Sequence, residues 1–175
     1  MSTVSPERIV RPRFCQLCGH DLIERVIESE RRPRHVCENC GFVHYINPRV
    51  VSSVIVEREG MLLLQQRAME PRAGYWTFPG GFLEVGETAE AGAIREAKEE
   101  VGLDITLTGL QGVYSRPTVG IVLVVYRGTS ASGDAIVGDG ESLAVRWCAR
   151  DDIPWDDLAF DSTIAALRDW HAATK

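Results

Sequence analysis

Residues 80–103, GGFLEVGETAEAGAIREAKEEVGL, constrain the fold of this chain more than any other segment. Thr88 belongs to the residue types that cap the start of a helix, and Gly102 is the residue type that most often ends one. The segment between them has no proline and no run of β-branched residues. It therefore predicts a helix from about Ala89 to Val101, preceded by a glycine-rich loop.

Three glutamates share one stripe of this predicted helix. Successive residues advance about 100° around a helix axis, so Glu99 and Glu100 fall within about 60° of Glu96, one on either side. Crowded carboxylates raise one another's pKa unless a cation lies among them, and oxygen ligands of this kind suit Mg²⁺ or Mn²⁺. A solvated acidic surface is the alternative. The opposite face is expected to pack against a sheet through Ala91, Ile94, Ala97 and Val101.

Four of the five cysteines form two C-x2-C pairs separated by eighteen residues. This spacing is typical of a tetrahedral Zn²⁺ site whose four thiolates leave no coordination position open for catalysis. We therefore predict an N-terminal tail over residues 1–13, a zinc ribbon over residues 14–46 and a main domain over residues 47–175. The zinc ligands would be Cys15, Cys18, Cys37 and Cys40, whereas Cys148 lies in an apolar run and is expected in the core.

The main domain alternates β-rich and helical patterns. VVSSVIVER and MLLLQQR are strand-like runs separated by the turn dipeptide Glu59-Gly60. LTGLQGVYSR, GIVLVVYRG and SLAVRWCA follow the glutamate-rich helix as further strands, and DSTIAALRDWHAA is an amphipathic closing helix. This order predicts an α/β domain with a mixed sheet and helices on its faces.

The glutamate-rich segment also resembles a known motif. Gly81, five residues, Glu87, seven residues and then REAKEEVGL from Arg95 match the Nudix box across all 23 positions. A four-cysteine ribbon before such a box is similar to the NADH pyrophosphatases and, more closely, to the branch that resembles FAD and ADP-ribose pyrophosphatases. The resemblance implies a Nudix α/β/α sandwich that hydrolyses a nucleoside diphosphate linked to another moiety X, giving a nucleoside monophosphate and a phosphorylated X.

The resemblance also implies roles for individual residues. Glu96, Glu99 and Glu100 would bind Mg²⁺ or Mn²⁺, with the Gly80 carbonyl as a further ligand. Glu87 would support the water or the metal from the loop, Arg95 would orient the glutamates by pairing with one of them, and Glu141 is the candidate for a downstream carboxylate that completes the site. A solvated loop acid is the alternative for Glu141.

The identity of X is left open by the motif. The chain lacks the signature near SQPWPFPxS that follows the box in NADH pyrophosphatases, which favours FAD or ADP-ribose, then NAD(H), with nucleoside triphosphates or capped RNA last. Aromatic side chains could stack on the substrate or belong to the core, and arginines could contact phosphate or be solvated. The candidates are Arg67, Trp76, Phe78, Tyr114 and Arg116.

Charge and hydropathy limit the other function classes. The net charge is −6, with 25 acidic and 19 basic residues, so a basic nucleic-acid-binding face is not expected. No apolar run is long enough to span a bilayer and the N-terminus does not resemble a signal peptide, so we expect a cytoplasmic protein without a membrane partner. A nucleotide-sensing Nudix-fold regulator and a nucleoside triphosphate pyrophosphohydrolase are the alternative functions. The ribbon would brace the domain or join two subunits into a homodimer.

Overall fold

A computed structural model describes residues 9–131, 133–138 and 140–173. The chain divides into two compact units, the first ending at Pro48 and the second beginning at Arg49. Across the described ranges, every helix is too short or too polar to cross a membrane.

The N-terminal unit is a small antiparallel sheet of three strands, β1 (Leu22–Ile27), β2 (Arg32–Cys37) and β3 (Val43–His44). Their order in the sheet is β1-β2-β3. Among the described residues 9–48, only Cys15, Val36 and Cys37 are buried. Because a unit of this size cannot be stabilised by so few buried side chains, its stability must come from another source, such as a metal.

The second unit is built on one seven-stranded sheet with two helices. The elements are β4 (Arg49–Arg58), β5 (Met61–Arg67), β6 (Trp76–Thr77), β7 (Gly80–Phe82), α1 (Ala89–Val101), β8 (Thr106–Arg116), β9 (Ile121–Thr129), β10 (Ser142–Ala149) and α2 (Asp161–Ala173). The strands of the main part of the sheet lie in the order β10-β5-β4-β9-β8, while β6 pairs with β5 and β7 pairs with β4. β4 and β9 are parallel and the other pairings are antiparallel, which confirms the predicted mixed sheet.

The two helices cover opposite faces of this sheet. Successive residues of a strand point to opposite faces, so each central strand contributes to two cores. The core on the α1 face contains Val54, Val56, Leu63, Ala93, Ala97 and Val101. The core on the α2 face contains Ile55, Leu62, Leu64, Ala166, Leu167 and Trp170. The second unit is therefore the α/β/α sandwich that the sequence predicted, and Cys148 is buried in its α2-facing core as expected.

The predicted ends of α1 are confirmed. The Thr88 hydroxyl accepts a hydrogen bond from the Ala91 N–H at 3.2 Å, which is the geometry of an N-cap. Gly102 has a φ of 72°, in the left-handed region, and its N–H donates to the Lys98 carbonyl. A side chain at position 102 would strain this ending, so the glycine determines where the helix stops.

The predicted packing face of α1 was wrong in part. Ala91 and Ile94 are exposed, and 39% of Ile94 is accessible, whereas Glu96 and Glu100 are only 7% and 6% exposed. The helix is rotated so that two of the three glutamates turn toward the sheet. This orientation is stable because the sheet side supplies hydrogen-bond donors for Glu100, so the carboxylate is not left unpaired.

Candidate active site and metal centres

The four paired cysteines form one compact cluster. Their sulfur atoms lie within 4.8 Å of one another, and the Sγ separations are 3.6 Å for Cys15 and Cys40, 3.4 Å for Cys18 and Cys37, and 3.5 Å for Cys18 and Cys40. Four thiolates around Zn²⁺ at bond lengths of about 2.3 Å would lie about 3.8 Å apart, so the cluster needs only a small expansion to hold the ion.

Two similar turns create this cluster. The Gly19 N–H donates to the Cys15 carbonyl, and the Gly41 N–H donates to the Cys37 carbonyl, both at 2.9 Å. Both glycines have φ values near 75°, which an L side chain adopts only with strain. The repeated C-x2-C-G sequence therefore folds twice into the same knuckle and brings its cysteines together.

Glu100 is the most deeply placed carboxylate of the second unit's candidate site. Its Oε2 atom accepts a hydrogen bond of 2.7 Å from the Gly80 N–H and another of 2.7 Å from Nε2 of Gln65. Burial raises its pKa to about 8, and the nearby charges of Glu96 and Glu141 act in the same direction. A carboxylate in this environment favours a proton or a cation as its partner.

Arg95 connects the other carboxylates of α1 and the preceding loop. Its guanidinium donates to both oxygens of Glu87, at 2.8 and 3.1 Å, and to Glu96 at 2.8 Å and Glu99 at 2.9 Å. The arginine thus pairs with three glutamates, where the sequence suggested one. The hydrogen bonds from Arg95 lower the pKa of Glu87 to about 2. The pKa of Glu96 is nevertheless raised, because burial outweighs its pairing with Arg95.

The double glycine of the loop leaves room for these carboxylates. A Cβ atom at Gly81 would overlap the carboxylate of Glu96, and one at Gly80 would overlap the side chain of Ser53. Gly80 and Gly81 form most of β7, which pairs with β4, so the strand holds the backbone against the glutamates. A larger residue at position 80 or 81 would therefore displace the side chain of Ser53 or of Glu96.

Glu141 lies near Glu96 and Glu100, although it is about forty residues away in sequence. It immediately precedes β10 and lies beside the candidate cavity described below. Its negative charge raises the pKa of both Glu96 and Glu100, which places it within electrostatic reach of them. The loop before it is held against the end of α1, since the Gly138 N–H donates to the Glu100 carbonyl at 3.0 Å.

The oxygen donors of this site suit a hard divalent cation. Glu96 and Glu100 are buried, and Glu99 is more exposed on the next turn. Within the described residues, however, only the four cysteines bring three or more ligand atoms within 4.8 Å, so the glutamate oxygens are more widely spaced. The chemistry of the donor set nevertheless fits Mg²⁺ or Mn²⁺.

A cavity of about 430 Å³ opens beside these carboxylates. Gly80, Glu100 and Glu141 lie on its wall together with aromatic, aliphatic and basic side chains. Three of the five predicted substrate-binding residues line it: Arg67, Phe78 and Arg116. Because Glu100 and Glu141 share this cavity with these side chains, the cavity can receive an anionic, partly apolar ligand.

Trp76 and Tyr114 are not part of the cavity wall as described. Trp76 stacks with Arg146, whose Cζ lies 4.4 Å from the ring centroid, and the Tyr114 hydroxyl donates to Asp169 at 2.9 Å. Both residues also pack against the core on the α2 face. In the structure their contacts are structural, and their predicted substrate role has no geometric support.

Phe160 is a cavity residue that sequence reasoning missed. It directly precedes α2, and the Cζ atoms of Arg67 and Arg116 lie 5.1 and 4.6 Å from the centre of its ring. Arg67 also donates to the carbonyls of Pro71 and Met69, at 3.0 and 3.4 Å. The phenyl ring therefore fixes the guanidinium groups of Arg67 and Arg116 at the cavity. Arg67 also holds the backbone at Met69 and Pro71 through its hydrogen bonds.

Comparison with known proteins agrees with this arrangement. Residues 47–168 match the family model of the NUDIX domain, and residues 13–46 match the model described as Nudix N-terminal, a zinc ribbon. The crystal structure of a NUDIX hydrolase from Nitrosomonas europaea is 37% identical in sequence and superposes with a TM-score of 0.87, covering 92% of this chain and 91% of that one.

Curated relatives carry related names. An ADP-ribose pyrophosphatase from Methanocaldococcus jannaschii is 44% identical over 73 residues, covering 42% of this chain and 43% of its own length. The NAD-capped RNA hydrolase NudC from Shigella flexneri is 31% identical over 146 residues, covering 81% of this chain and 53% of its own length. A MutT-like protein from Streptomyces ambofaciens is 41% identical over 103 residues, covering 59% of this chain and 64% of its own. The chain thus spans between 43% and 64% of the length of these relatives.

Proposed function

This chain belongs to the Nudix hydrolase family, and we propose that it hydrolyses the diphosphate linkage of a nucleoside diphosphate derivative with Mg²⁺ or Mn²⁺. The observation that carries the proposal is the position of Glu100. This buried carboxylate lies on the wall of a cavity that also contains two arginines, so cation ligands and anion-binding groups share one space. A diphosphate is the ligand that would need both.

The cation would be held by carboxylates of α1, with the Gly80 carbonyl as a further ligand. Glu96, Glu99 and Glu100 are the proposed ligands, and Glu141 is the proposed downstream carboxylate. When bound, Mg²⁺ or Mn²⁺ neutralises phosphate charge and lowers the pKa of a coordinated water, which is the chemistry that hydroxide attack on a polyanion requires.

The protein's own groups would position the reactants. Arg95 restrains Glu87, Glu96 and Glu99 through its hydrogen bonds, so these carboxylates keep their orientation as the substrate enters. Arg67 and Arg116 would contact the phosphate side of the substrate, since guanidinium groups match phosphate oxygens. A carboxylate within hydrogen-bond reach of the attacking water would accept its proton, and Glu141, on the cavity wall, is the candidate.

FAD and ADP-ribose are the proposed substrates, with NAD(H) next. The relative named ADP-ribose pyrophosphatase supports this order, and so does the missing NADH-pyrophosphatase signature after residue 103. The cavity also combines Phe160 with the basic groups of Arg67 and Arg116, which suits a nucleotide with an aromatic ring. The NudC relatives, which match over 146 residues, make NAD-capped RNA a further substrate to test.

A substrate panel tests the proposal. The full chain would be incubated with Mg²⁺ or Mn²⁺ and FAD, ADP-ribose, NADH, NAD⁺, diadenosine polyphosphates, dNTPs or a short NAD-capped RNA, and kcat/KM would be ranked from product chromatography. AMP together with FMN or ribose 5-phosphate is the expected product pair. The highest kcat/KM on a dNTP would instead favour the triphosphate pyrophosphohydrolase function.

A second measurement separates an enzyme from a nucleotide sensor. A regulator of this family would bind one of these nucleotides and leave it intact, so calorimetric binding without product formation would favour the sensing function. Hydrolysis in the presence of the cation and its abolition by EDTA would exclude it.

The four-cysteine cluster is the proposed site of one structural Zn²⁺ ion. We propose a cytoplasmic location, because a reducing compartment keeps cysteine thiols available as zinc ligands. We propose that the ribbon braces the protein or joins two chains into a homodimer; sedimentation analysis of the zinc-loaded protein would distinguish these roles.

A further inference from the structure

Two hydrogen bonds in series lead from strand β10 through β5 to Glu100. The Ser142 hydroxyl donates to Oε1 of Gln65 at 2.6 Å, and Nε2 of Gln65 donates to Oε2 of Glu100 at 2.7 Å. The three side chains are only 6%, 2% and 6% exposed, in the same order. In such a dry environment each bond restricts the next, because an unpaired polar atom would be costly.

The chemistry of the neighbours determines how the Gln65 amide is oriented. Oε2 of Glu100 already accepts from the Gly80 N–H, and the ionised form that would bind a cation can only accept, so the NH₂ end of the amide faces Glu100. The carbonyl end then faces Ser142, whose hydroxyl is able to donate. The serine therefore contributes to the orientation of Glu100 without touching it.

Packing alone does not explain a glutamine at this position. Gln65 lies two residues after Leu63, so both side chains face α1, and Leu63 is part of the apolar core there. An aliphatic side chain would fill the same space without a desolvation cost. The polar group is therefore explained by its bond to Glu100.

The two donors on Glu100 converge on one oxygen. Gln65 and the Gly80 N–H both reach Oε2, and both distances are 2.7 Å. The terminal torsion of a glutamate is otherwise broad, so a pair of donors on one oxygen restricts the rotation of the carboxylate. Among the described hydrogen bonds to this side chain, none is to Oε1, and Glu100 lies at the cavity wall.

We propose that Gln65 and Ser142 are positioning residues of the cation site. They hold Oε2 of Glu100 so that Oε1 is directed to the cation. This inference rests on the proposed function, since it takes Glu100 as a cation ligand. Removal of a side chain that hydrogen-bonds to a metal ligand typically weakens metal binding by about 10- to 100-fold.

The test is the Mn²⁺ affinity of the full chain in the absence of nucleotide, measured by calorimetry and by electron paramagnetic resonance. Gln65→Met keeps the length of the side chain but removes the amide, and we expect about 10- to 100-fold weaker Mn²⁺ binding. Ser142→Ala should give a smaller loss in the same direction. Trp170→Phe is the control, because it removes a partly buried hydrogen bond to Glu57, of 2.7 Å, on the other face of the sheet, and should leave Mn²⁺ affinity unchanged.

The outcomes separate this inference from the proposed function. Wild-type protein that neither binds Mn²⁺ nor hydrolyses any panel substrate contradicts the proposed function and, with it, this inference. A wild-type protein that does both, alongside a folded Gln65→Met variant with unchanged Mn²⁺ affinity, overturns the positioning role alone. If the Gln65→Met variant is not folded, as shown by the lack of a cooperative unfolding transition, the Ser142→Ala variant takes its place in the test. Weaker Mn²⁺ binding by Ser142→Ala supports the positioning role, and unchanged binding overturns it.

A kinetic readout adds to the binding data. Because the positioning residues act on the cation ligand, the activity of Gln65→Met and Ser142→Ala should require a higher Mn²⁺ concentration for half-maximal rate, with the nucleotide KM at saturating Mn²⁺ unchanged. A raised nucleotide KM at saturating Mn²⁺ would contradict the assignment.

Discussion

The backbone N–H of Gly80 donates to Oε2 of Glu100 across 2.7 Å, although the two residues lie twenty positions apart. Gly80 begins β7 and Glu100 lies in the last turn of α1, so this bond closes the loop-and-helix segment on itself. Gly81 lies so close to Glu96 that a Cβ atom at position 81 would overlap the carboxylate. The candidate site therefore depends on where the backbone of residues 80–81 lies as much as on the glutamates.

Replacement of Glu100 by glutamine tests the central carboxylate. The change keeps the size of the side chain but removes its charge, so we expect kcat to fall by about 10²–10³-fold, as when a single electrostatic contact is removed in other hydrolases. The free energy of unfolding of the metal-free protein should not fall, because the variant no longer buries an ionisable group. Steady-state kinetics and urea unfolding check the two parts, and activity close to wild type would contradict the assignment.

The role of Phe160 is tested by Phe160→Leu. Loss of the ring removes two cation–π contacts that hold Arg67 and Arg116 at the cavity. Contacts of this kind are worth about 0.5–1 kcal/mol each, so we expect KM to rise about 5- to 30-fold with a smaller change in kcat.

The matched control for Phe160→Leu is Tyr75→Leu. It removes a similar contact, since the Cζ of Arg72 lies 4.9 Å from the Tyr75 ring centroid, at a residue that is not among those lining the cavity. Equal effects of the two variants on KM would show that Phe160 has no specific role.

The fold was largely predictable because its local signals agree with one another. Thr88 and Gly102 mark both ends of α1, and the Glu59-Gly60 turn, with φ values of 52° and 77°, joins two strands of opposite direction. β9 begins with the run IVLVVY and pairs on both sides, as an interior strand should. These features depend on neighbouring residues, which a sequence displays directly.

Features that depend on distant contacts were not predictable. A charged stripe on a helix ordinarily faces solvent, so the burial of Glu96 and Glu100 could not be anticipated without the donors on the sheet. Gln65 looked like an ordinary strand residue, because its partners on α1 and β10 are far away in sequence. Phe160 was missed for the same reason, because the two arginines that stack on its ring lie far from it in sequence.

Removal of zinc tests the N-terminal unit. With only Cys15, Val36 and Cys37 buried among its described residues, the unit has little apolar core to stabilise it without metal. We expect a strong chelator to release one Zn²⁺ per chain and to remove hydrogen-exchange protection from β1 and β2. Protection of the central strands β4 and β9 is expected to remain. Retained protection of β1 and β2 after the zinc has been removed would show that the unit folds without the ion.

The pairing of Glu87 with Arg95 predicts a stability difference that depends on pH. Hydrogen bonds from Arg95 and from the Glu84 N–H lower the pKa of Glu87 from 4.5 to about 2 in the folded protein. A carboxyl group with a lowered pKa contributes stability that is complete above the unfolded-state value and is lost as the pH falls toward the folded-state value. The stabilisation by Glu87 should therefore be full at neutral pH and decline between about pH 4.5 and pH 2.

Glu87→Gln provides the measurement, because glutamine does not titrate. The variant should unfold at a lower temperature than wild type at neutral pH, and this difference in Tm should shrink as the pH falls from about 4.5 and disappear near pH 2. Asp104→Asn is the control, since it breaks an exposed ion pair of 2.8 Å with Lys98, and such pairs contribute little. A Tm difference between Glu87→Gln and wild type that stays constant over this range would show that the ion pair with Arg95 does not stabilise the loop.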